Sequence, residues 1–397
     1  MNLTVFVQLL LVEEKMALFL AFKEVWRNRG RFVLFSMVIA LVTTLVLFVG
    51  SLAAGLSLAN REYFDKLDAD LIVLQSDVDL QITASRLPVS LMRRIARLDI
   101  VQDAGPLGIS NAKIENGDTP LLDVSLLGVE AGKPGSPDVI SGRAIRLNRR
   151  YETVIDENVS SRSGLGVGDT LVIKSTQGTD DELYELRIVG ITESREFLYQ
   201  PAVFVPLQIW DKVRPQASLN TTPVAEIANA AIIQLVPGID PLQAADIIDS
   251  SLSDIETADI QSVVEAIPGY SVQQSTLGIN KGFTFLIGVL VIGGFFQIQT
   301  LQKVPLIGVL KAIGTSTPAV SQSVILQIIF ITVFGVFIGT SATLGLGAAL
   351  PDGVPAVFSL SAVWSEILIM LIIGPLGGLL AVRMASRVEP LKALGLS

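Results

Sequence analysis

The sequence predicts an α-helical membrane protein with four transmembrane helices, cytoplasmic N and C termini, and an α+β extracytoplasmic domain of two lobes. Three observations lead to this fold class. Half of the 397 residues are apolar, 17% are charged and the mean hydropathy is +0.58, which is a composition typical of membrane proteins. The apolar residues are clustered in long segments, and most of the acidic residues lie between the first two of these segments.

Four apolar segments are each long enough to cross a bilayer. Phe32–Ala59 is 28 residues without a charge, Gly282–Gln302 is 21 and Ala312–Pro351 is 40. About 20 apolar helical residues span the hydrocarbon core of a membrane. The first two segments therefore predict one helix each, and the third predicts one helix followed by a turn. The fourth segment, Val363–Met384, carries Glu366 near one end.

These segments divide the chain into nine parts. The predicted parts are a cytoplasmic N-terminal segment (1–31), transmembrane helix 1 (32–59), an extracytoplasmic domain (60–277), transmembrane helix 2 (278–302), a cytoplasmic helix (303–317), transmembrane helix 3 (318–346), a short external loop (347–362), transmembrane helix 4 (363–385) and a cytoplasmic tail (386–397).

The charge distribution predicts which side of the membrane each part occupies. Residues 60–277 carry 18 basic and 32 acidic side chains, a net charge of −14, whereas the rest of the chain has a net charge of +5. With four spans, all three basic clusters of the rest of the chain fall on one side, which the positive-inside rule makes cytoplasmic. The acidic domain is then external, and its sign argues against nucleic-acid binding. The clusters are Lys23, Arg27, Arg29 and Arg31; Lys303 and Lys311; and Arg383, Arg387 and Lys392.

The N-terminal residues leave two candidate translation starts. Residues 1–15 contain an apolar run without a basic region before it or a cleavage site after it, so they do not resemble a signal peptide. Met16 begins a more ordinary amphipathic segment, "MALFLAFKEVWRNRGRF". Met1 and Met16 both remain candidates, and the second is favoured.

Several kinds of catalysis are excluded by composition and motifs. The chain has no histidine and no cysteine, which excludes Ser-His-Asp catalysis, zinc hydrolysis and histidine-ligated haem within this chain. It has no Gly-x-x-x-x-Gly-Lys-Ser/Thr motif, so we expect no ATP bound by a P-loop. "GLGVGD" is interpreted as a tight turn before a strand. Asp180, Asp181 and Glu182 are interpreted as a solvated hairpin loop, because these three residues lack the alternating spacing of calcium ligands. The sequence therefore predicts a chain that is not an enzyme and holds no cofactor.

Alternating strand-like and helix-like segments in residues 60–277 predict an α+β domain. Ala69–Gln75 resembles a strand and Pro88–Leu98 a helix with proline in its first turn. Asn116-Gly117 is a hairpin signal, and a helix is predicted from Pro241 to about Ile267. Because a strand-rich middle separates similar ends, we expect one lobe from both ends of the domain and another from the insertion.

Polar or small residues within and next to the apolar segments have two interpretations. In the third span, Gly335, Gly339, Ser341, Gly345 and Gly347 favour close packing between helices. Ionisable or soft groups at membrane depth are also candidates for binding substrate. The candidate substrate-binding residues are Met37, Glu62, Tyr63 and Glu366.

The stretch "TLQKVPLIGVLKAIGTST" between the second and third spans predicts a short amphipathic helix. Pro305 suits its first position and Gly314 the residue after its end, and Thr317 is the predicted N-cap of the next helix. Two functions remain open: an interfacial helix whose lysines reach lipid headgroups, or a helix that docks into a cytoplasmic partner. Its apolar face is formed by Leu306, Val309, Leu310 and Ile313.

Four motifs together resemble the FtsX-like, MacB-type ABC transporter permeases. "TLQKVPLIGVLKAIGTS" is similar to the cytoplasmic coupling segment of that family, and "AFKEVWRNRGRF" to its basic segment before span one. "SGLGVGDTLVIKS" with "ELRIVGI" resembles its external core domain, and "RVEPLKALG" its tail. The resemblance extends from Met16 onward and is nearest to the haem-efflux permease subgroup, with glycolipid-exporting permeases second.

The resemblance implies a permease subunit of a type VII ABC system in the bacterial inner membrane. Two copies would pair with two separate ATPase subunits, which bind ATP and Mg²⁺, and a membrane-fusion protein is a further expected partner. The family exports or extracts amphipathic compounds such as haem, lipid or drugs; the alternative is mechanical regulation of an external cell-wall enzyme without transport. The haem-efflux subgroup has a glutamate where this chain has Ala59, with Glu62 one turn later. The residues expected to couple to the ATPase are Lys303, Leu306, Ile307, Val309, Leu310, Lys311, Ile313 and Gly314.

Overall fold

The computed structural model describes residues 29–115, 122–146, 150–215, 226–350, 354, 356–358 and 360–387. The chain divides into two compact units: an extracytoplasmic unit, Leu56–Gln274, and a membrane unit formed by the residues on either side of it. The two candidate translation starts, the Asn116-Gly117 turn, the basic residues Lys23, Arg27 and Lys392, and the "RVEPLKALG" motif beyond Arg387 lie outside the described residues.

The extracytoplasmic unit is a mixed α/β domain, as the alternation of segments predicted. Its helices are short and connect or follow the strands. They are α2 (Val89–Ile95), α3 (Glu157–Ser163), α4 (Leu207–Val213), α5 (Pro241–Ser251) and α6 (Ile260–Glu265). The strands are β1 (Leu71–Gln75), β2 (Leu87–Pro88), β3 (Val101–Ile114), β4 (Leu122–Val129), β5 (Ser141–Gly142), β6 (Glu152–Asp156), β7 (Thr170–Gln177), β8 (Asp180–Thr192), β9 (Ala202–Pro206), β10 (Ile227–Ala228), β11 (Ala230–Leu235) and β12 (Ile255–Asp259).

Ten of these strands form one sheet that joins the two predicted lobes. Its order is β12-β1-β11-β3-β4-β9-β6-β8-β5, and β7 pairs with both β3 and β8. Strands from the two ends of the domain lie toward the β12 edge, and strands of the insertion lie toward the β5 edge. The pairs β4–β9 and β6–β8 are parallel, and the other pairs are antiparallel.

Apolar side chains of the sheet form two hydrophobic clusters. One cluster contains Trp210 of α4, which packs so closely on Gly108 that an added β-carbon there would lie 2.4 Å from the indole ring. The other cluster contains Tyr63, Phe64 and Phe197, whose rings contact one another. Alternate residues of a strand point to opposite faces of a sheet, and the central strands are buried on both faces. In β1, for example, Leu71 and Val73 join one cluster and Ile72 and Leu74 join the other.

The predicted helix from Pro241 to Ile267 is wrong in its middle. The segment forms α5, then strand β12, then α6, with Asp254 in the left-handed region at φ 64° between α5 and β12. β12 pairs along its whole length with β1, from Leu71↔Asp259 to Gln75↔Ile255. Ladder hydrogen bonds to a strand far away in sequence therefore override the local helical pattern.

Both turn interpretations in the external domain are confirmed. Strands β7 and β8 form a hairpin with Gln177 opposite Asp180, and its carboxylates at positions 180–182 are exposed. Within "GLGVGD", Gly168 at φ 104° lies in a turn directly before β7. A residue with a β-carbon is strained at this angle, which accounts for glycine there.

Among the residues that the structure describes, the membrane unit contains four helices that are long and apolar enough to cross a membrane. They are α1 (Arg29–Asp65), α7 (Tyr270–Ala312), α8 (Thr317–Ala348) and α9 (Leu360–Ser386). Their shared core includes Ile39, Phe296, Ile328 and Ile373. Helices α1 and α7 are longer than the predicted spans 32–59 and 278–302, since both continue into the extracytoplasmic unit.

The small residues of the third span bring helices together at two of the five predicted positions and contact an aromatic ring at a third. A β-carbon on Gly335 would lie 2.7 Å from Ile39, and one on Gly339 would lie 2.6 Å from the carbonyl oxygen of Ala40. Glycine therefore allows α8 to approach α1 closely. A β-carbon on Gly347 would meet the ring of Phe358 at 2.6 Å. Gly345 has open space around it, and Ser341 is exposed.

Candidate functional site

The end of α7 carries the amphipathic stretch, but not as a separate helix. The predicted short helix from Lys303 is wrong, because α7 is continuous from Tyr270 to Ala312 with Pro305 inside it. A proline has a φ angle that fits a helix and costs the hydrogen bond to the carbonyl four residues earlier. Transmembrane helices tolerate this loss, so α7 continues as one helix to the turn at Gly314.

Helix α7 ends in a helix-termination motif at Gly314. Gly314 has φ 98°, its N–H donates to the carbonyl of Lys311 at 3.1 Å, and Thr315 N–H donates to the carbonyl of Leu310 at 3.0 Å. This is the Schellman pattern, which satisfies carbonyls at a helix end. The predicted position of Gly314 is confirmed.

The next helix begins one residue earlier than predicted. The N-cap of α8 is Ser316, whose side-chain oxygen accepts from Ala319 N–H at 3.4 Å. The prediction of Thr317 as N-cap is therefore wrong. Serine is a somewhat better N-cap than threonine, and with Ser316 as the cap Pro318 lies in the first turn of α8, where proline is tolerated.

One face of the α7 end is bound to the neighbouring membrane helices. Lys303 Nζ donates to Gln327 Oε1 on α8 at 2.7 Å, and Lys311 Nζ donates to the carbonyl oxygen of Ser386 on α9 at 2.8 Å. Between them, Ile307 is only 4% exposed and packs with Val320 and Ala385. Residues four apart lie on one face of a helix, so these three contacts anchor a single face, which we call the inner face.

The opposite face of the α7 end is apolar and uncovered. Leu306 is 54% exposed, Val309 is 42% exposed and Ile313 is 74% exposed. We call these three residues the outer stripe. Leu310 lies at its margin and is half-buried. The predicted apolar face therefore exists, but it points away from the rest of the membrane unit.

This geometry favours one of the two functions left open by the sequence. An interfacial helix would direct its lysines to lipid headgroups, whereas both lysines here bond to other helices of the membrane unit. An apolar stripe on a rigidly held helix end is suited to fit into a groove of another protein. The outer stripe is therefore the candidate functional site.

Sequence reasoning missed the partners that hold the inner face. Gln327 is a polar residue in an apolar span, and such residues often bond between membrane helices, so it carried a usable signal. The carbonyl of Ser386 carried none, because it belongs to the backbone and lies 75 residues from Lys311.

The four candidate substrate-binding residues are not brought together. Met37 is 63% exposed on α1, about 37 Å along the helix from Glu62 at 1.5 Å per residue. Tyr63 is 0% exposed in the aromatic cluster of the extracytoplasmic unit. Glu366 of α9 lies against α1, where a β-carbon on Gly50 would be 1.9 Å from its carboxylate.

The carboxylate of Glu62 is occupied by contacts within the extracytoplasmic unit. Its Oε1 accepts from Lys66 Nζ at 3.0 Å, and its Oε2 accepts from Ser194 Oγ at 2.9 Å and from Glu196 N–H at 3.2 Å. Burial raises the pKa of Glu196, an effect that nearby Arg162 opposes and Glu62 reinforces. Glu62 therefore serves this polar network in the structure.

Asp156 is the most deeply buried carboxylate near this network. It caps α3 by accepting from Val159 N–H at 2.7 Å, and it accepts from Ala202 N–H of β9 at 2.8 Å. Burial raises its pKa to about 6, although these N–H donors favour the charged form. The folded state thus binds its proton more tightly than the unfolded chain does.

We expect Asp156→Asn to reveal a pH-dependent contribution to domain stability. Because the pKa is raised in the folded state, the contribution of Asp156 is complete below about pH 4 and is lost as pH rises through about 6. The stability advantage of the native chain over the variant should shrink by about 3 kcal/mol across this window, since each unit of pKa shift is worth about 1.4 kcal/mol. Amide hydrogen exchange in β6 and β9 of the full-length chain, compared at each pH, measures it; a constant difference would contradict the assignment.

Two protein families match successive parts of the chain. Residues 32–251 match the MacB-like periplasmic core domain, and residues 282–390 match the FtsX-like permease C-terminal region. Together these matches include every strand of the ten-stranded sheet except β12, and the whole of the outer stripe.

The chain is also similar to other proteins, two of which are permeases that match it over almost their full length. A candidate hemin transport system permease protein, HrtB, of Staphylococcus haemolyticus is 27% identical over 95% of this chain and 99% of its own length. An uncharacterized ABC transporter permease of Mycobacterium tuberculosis is 25% identical over 95% of this chain and 99% of its own. The extracellular domain of the transporter YknZ from Gram-positive bacteria is 13% identical with a TM-score of 0.34, covering 48% of this chain and 99% of that domain.

Proposed function

The chain belongs to the family of FtsX-like ABC transporter permeases with a MacB-like periplasmic core domain, and from this membership we propose that it couples ATP hydrolysis in a separate ATPase subunit to export or outer-leaflet extraction of an amphipathic compound. It is a multi-pass protein of the bacterial inner membrane, and a permease of an ABC system implies an ATPase partner. ATP and Mg²⁺ would be bound by that partner.

The observation that carries the coupling role is the opposite character of the two faces of the α7 end. The outer stripe offers Leu306, Val309 and Ile313 to a partner. The inner face is joined to α8 through Lys303 and to α9 through Lys311. A displacement imposed on the stripe would therefore be passed to three membrane helices together rather than absorbed by a loose loop. In this proposal Lys303, Ile307 and Lys311 transmit the movement, and the stripe makes the contact.

The nature of the transported compound is proposed from the relatives and from chemistry. Two relatives are named for hemin transport, which makes haem the first compound to test. The chain has no histidine or cysteine, Tyr63 lies inside the core and Glu62 is bound to Lys66. We therefore propose that recognition rests mainly on the amphipathic character of the compound, with the exposed Met37 and the membrane carboxylate Glu366 as the remaining polar or soft candidates.

Two features of assembly are part of the proposal. Two copies of the chain would pair with two ATPase subunits, and the exposed apolar surface of α1, which includes Leu34, Leu41 and Leu45, is the surface that we propose for contact with the second copy or with lipid. A membrane-fusion protein is a further proposed partner on the external side.

Reconstitution of the permease with its ATPase in nanodiscs tests the proposed function. We expect haemin or another amphipathic compound in the bilayer to stimulate ATP hydrolysis severalfold over empty nanodiscs. The controls are the ATPase without the permease and a water-soluble compound of similar size. Hydrolysis that responds only to an external protein, and to none of the amphipathic compounds, would replace export by mechanical regulation of that protein.

A further inference from the structure

A tight turn at Phe197–Gln200 lies in the extracytoplasmic unit next to the ends of α1 and α7. Phe197 N–H donates to the carbonyl of Gln200 at 2.9 Å, and Gln200 N–H donates to the carbonyl of Phe197 at 3.1 Å. The two residues between them, Leu198 and Tyr199, both lie in the left-handed region, at φ 49° and 66°. Such two-residue turns favour Asn-Gly, because a β-carbon is strained at positive φ. A Leu-Tyr turn is therefore strained.

The side chain of Leu198 provides one part of what holds this turn. It lines an apolar crevice together with Leu80, Ile82, Val263 and Ile267, and it packs against the aromatic cluster of this unit. These apolar contacts therefore hold Leu198, the first of the two residues with positive φ, in place.

The side chain of Tyr199 provides the other part by bonding to both helix ends. We call Leu56–Asp65 of α1 and Tyr270–Gln274 of α7 the stalk pair; both segments belong to the extracytoplasmic unit. Asn60 Nδ2 donates to Tyr199 Oη at 2.6 Å, and Tyr199 Oη donates to Gln273 Oε1 at 2.7 Å. Asn60 Nδ2 also donates directly to Gln273 Oε1 at 3.2 Å. The phenol therefore closes a triangle between the two stalks.

A second bond joins the stalks close to this triangle. Gln274 Nε2 donates to Ser57 Oγ at 2.7 Å. These contacts between the stalks use neutral amides and hydroxyls, and they lie beside the apolar cluster that Tyr63 and Phe64 of α1 share with Tyr270 of α7. Polar bonds therefore add to apolar packing in setting the spacing of the stalk pair, and Tyr199 takes part in two of these bonds.

We propose that the Phe197–Gln200 turn is a strained tie that holds the stalk pair at one spacing, with Tyr199 as its positioning residue. Strained backbone persists only where the surroundings hold it in place, and here the crevice and the stalk pair do so. If the stalks separate, the triangle opens and the turn is free to leave its left-handed conformation. The tie therefore makes one stalk spacing the favoured state of the external domain. The inference rests on the proposed function for its role in transport.

Distance measurements between the stalks test the tie in the permease alone. The chain has no cysteine, so spin labels can be placed uniquely on the exposed positions Leu58 and Ser271 of the two stalks as L58C/S271C. In nanodiscs without ATPase or ligand, Tyr199→Phe should broaden the distance distribution at least about twofold. Tyr151→Phe is the matched control, since Tyr151 is 44% exposed and Tyr199 is 42% exposed. If the distance distribution in Tyr199→Phe is as narrow as in the labelled chain that keeps Tyr199, the proposal is overturned.

Amide hydrogen exchange distinguishes a strained turn that Tyr199 holds in place from a turn that Tyr199 only packs against. Tyr199→Phe should speed exchange at the Gln200 amide about tenfold, the effect of losing one ordinary hydrogen bond. Tyr199→Asn also removes the phenol but relieves the strain, because asparagine tolerates the left-handed region. It should widen the stalk spacing while leaving Gln200 exchange near its original rate. Equal acceleration in both variants would overturn the claim of strain.

These outcomes are independent of the ATPase contact. Failure of the ATPase to bind or to respond to ligand would refute the proposed function and leave the distance result unchanged. Conversely, a normal distance distribution in Tyr199→Phe would refute the tie while the outer stripe could still bind the ATPase.

Discussion

Replacing Val309 with aspartate is expected to weaken binding of the partner ATPase at least about 100-fold while the permease stays folded. Val309 lies in the middle of the outer stripe, and its side chain is 42% exposed. A carboxylate placed there would be buried without a counter-charge when the ATPase docks, which costs about 3 kcal/mol or more, and each 1.4 kcal/mol is a factor of ten in affinity. Titration of the purified ATPase against the permease in nanodiscs measures the loss.

Two further variants separate docking from folding. Thr317→Asp introduces the same charge in the same cytoplasmic turn, at the exposed start of α8, where a negative charge suits the helix dipole; it should bind the ATPase normally. Ile307→Asp places the charge on the inner face beside Val320 and Ala385 and should destabilise the membrane unit itself. Unaltered affinity in Val309→Asp would show that the stripe faces lipid.

Replacing Gly339 with valine is expected to destabilise the membrane unit by about 3 kcal/mol, the upper part of the range for overpacked sites. A β-carbon there would lie 2.6 Å from the carbonyl oxygen of Ala40 and 2.7 Å from Thr43. Backbone cannot yield as a flexible side chain does, so α1 and α8 must separate. The bond from Thr44 Oγ1 to the carbonyl of Gly339, at 3.2 Å, should be lost with this contact.

Gly345→Val is the matched control for this prediction. Gly345 is in the same helix, and nothing lies within 4 Å of a β-carbon added to it. Thermal unfolding of the two variants in one detergent should give a midpoint at least about 5 °C lower for Gly339→Val than for Gly345→Val. Equal midpoints would mean that α1 and α8 do not depend on this close approach.

Much of the fold was predictable because it follows from local chemistry. The four membrane helices were predicted from uninterrupted apolar length, and Gly314 from the need for a positive φ after α7. The external domain was predicted as α+β, with both strands and helices, from the alternation of segments. Two predictions failed because contacts outside the segment override the local pattern. Residues 255–259 form strand β12 because they pair with β1. Pro305 does not begin a helix because α7 continues through it.

The candidate site was predictable only in part. The period of Leu306, Val309 and Ile313 places them on one side of a helix, so the sequence determined that an apolar face exists at the end of α7. It did not determine what that face meets, since a helical period describes which side chains lie together and not their surroundings.

The tertiary structure decided which way that face points, through the contacts of the opposite face. Lys303 and Lys311, which in the sequence are equally suited to headgroups or to a partner, are bound to Gln327 and to the carbonyl of Ser386. Partners this distant in sequence are selected by how α8 and α9 pack against α7, a property of the whole helical unit. Because these bonds hold the inner face against α8 and α9, the outer stripe lies on the side of α7 that faces away from both helices.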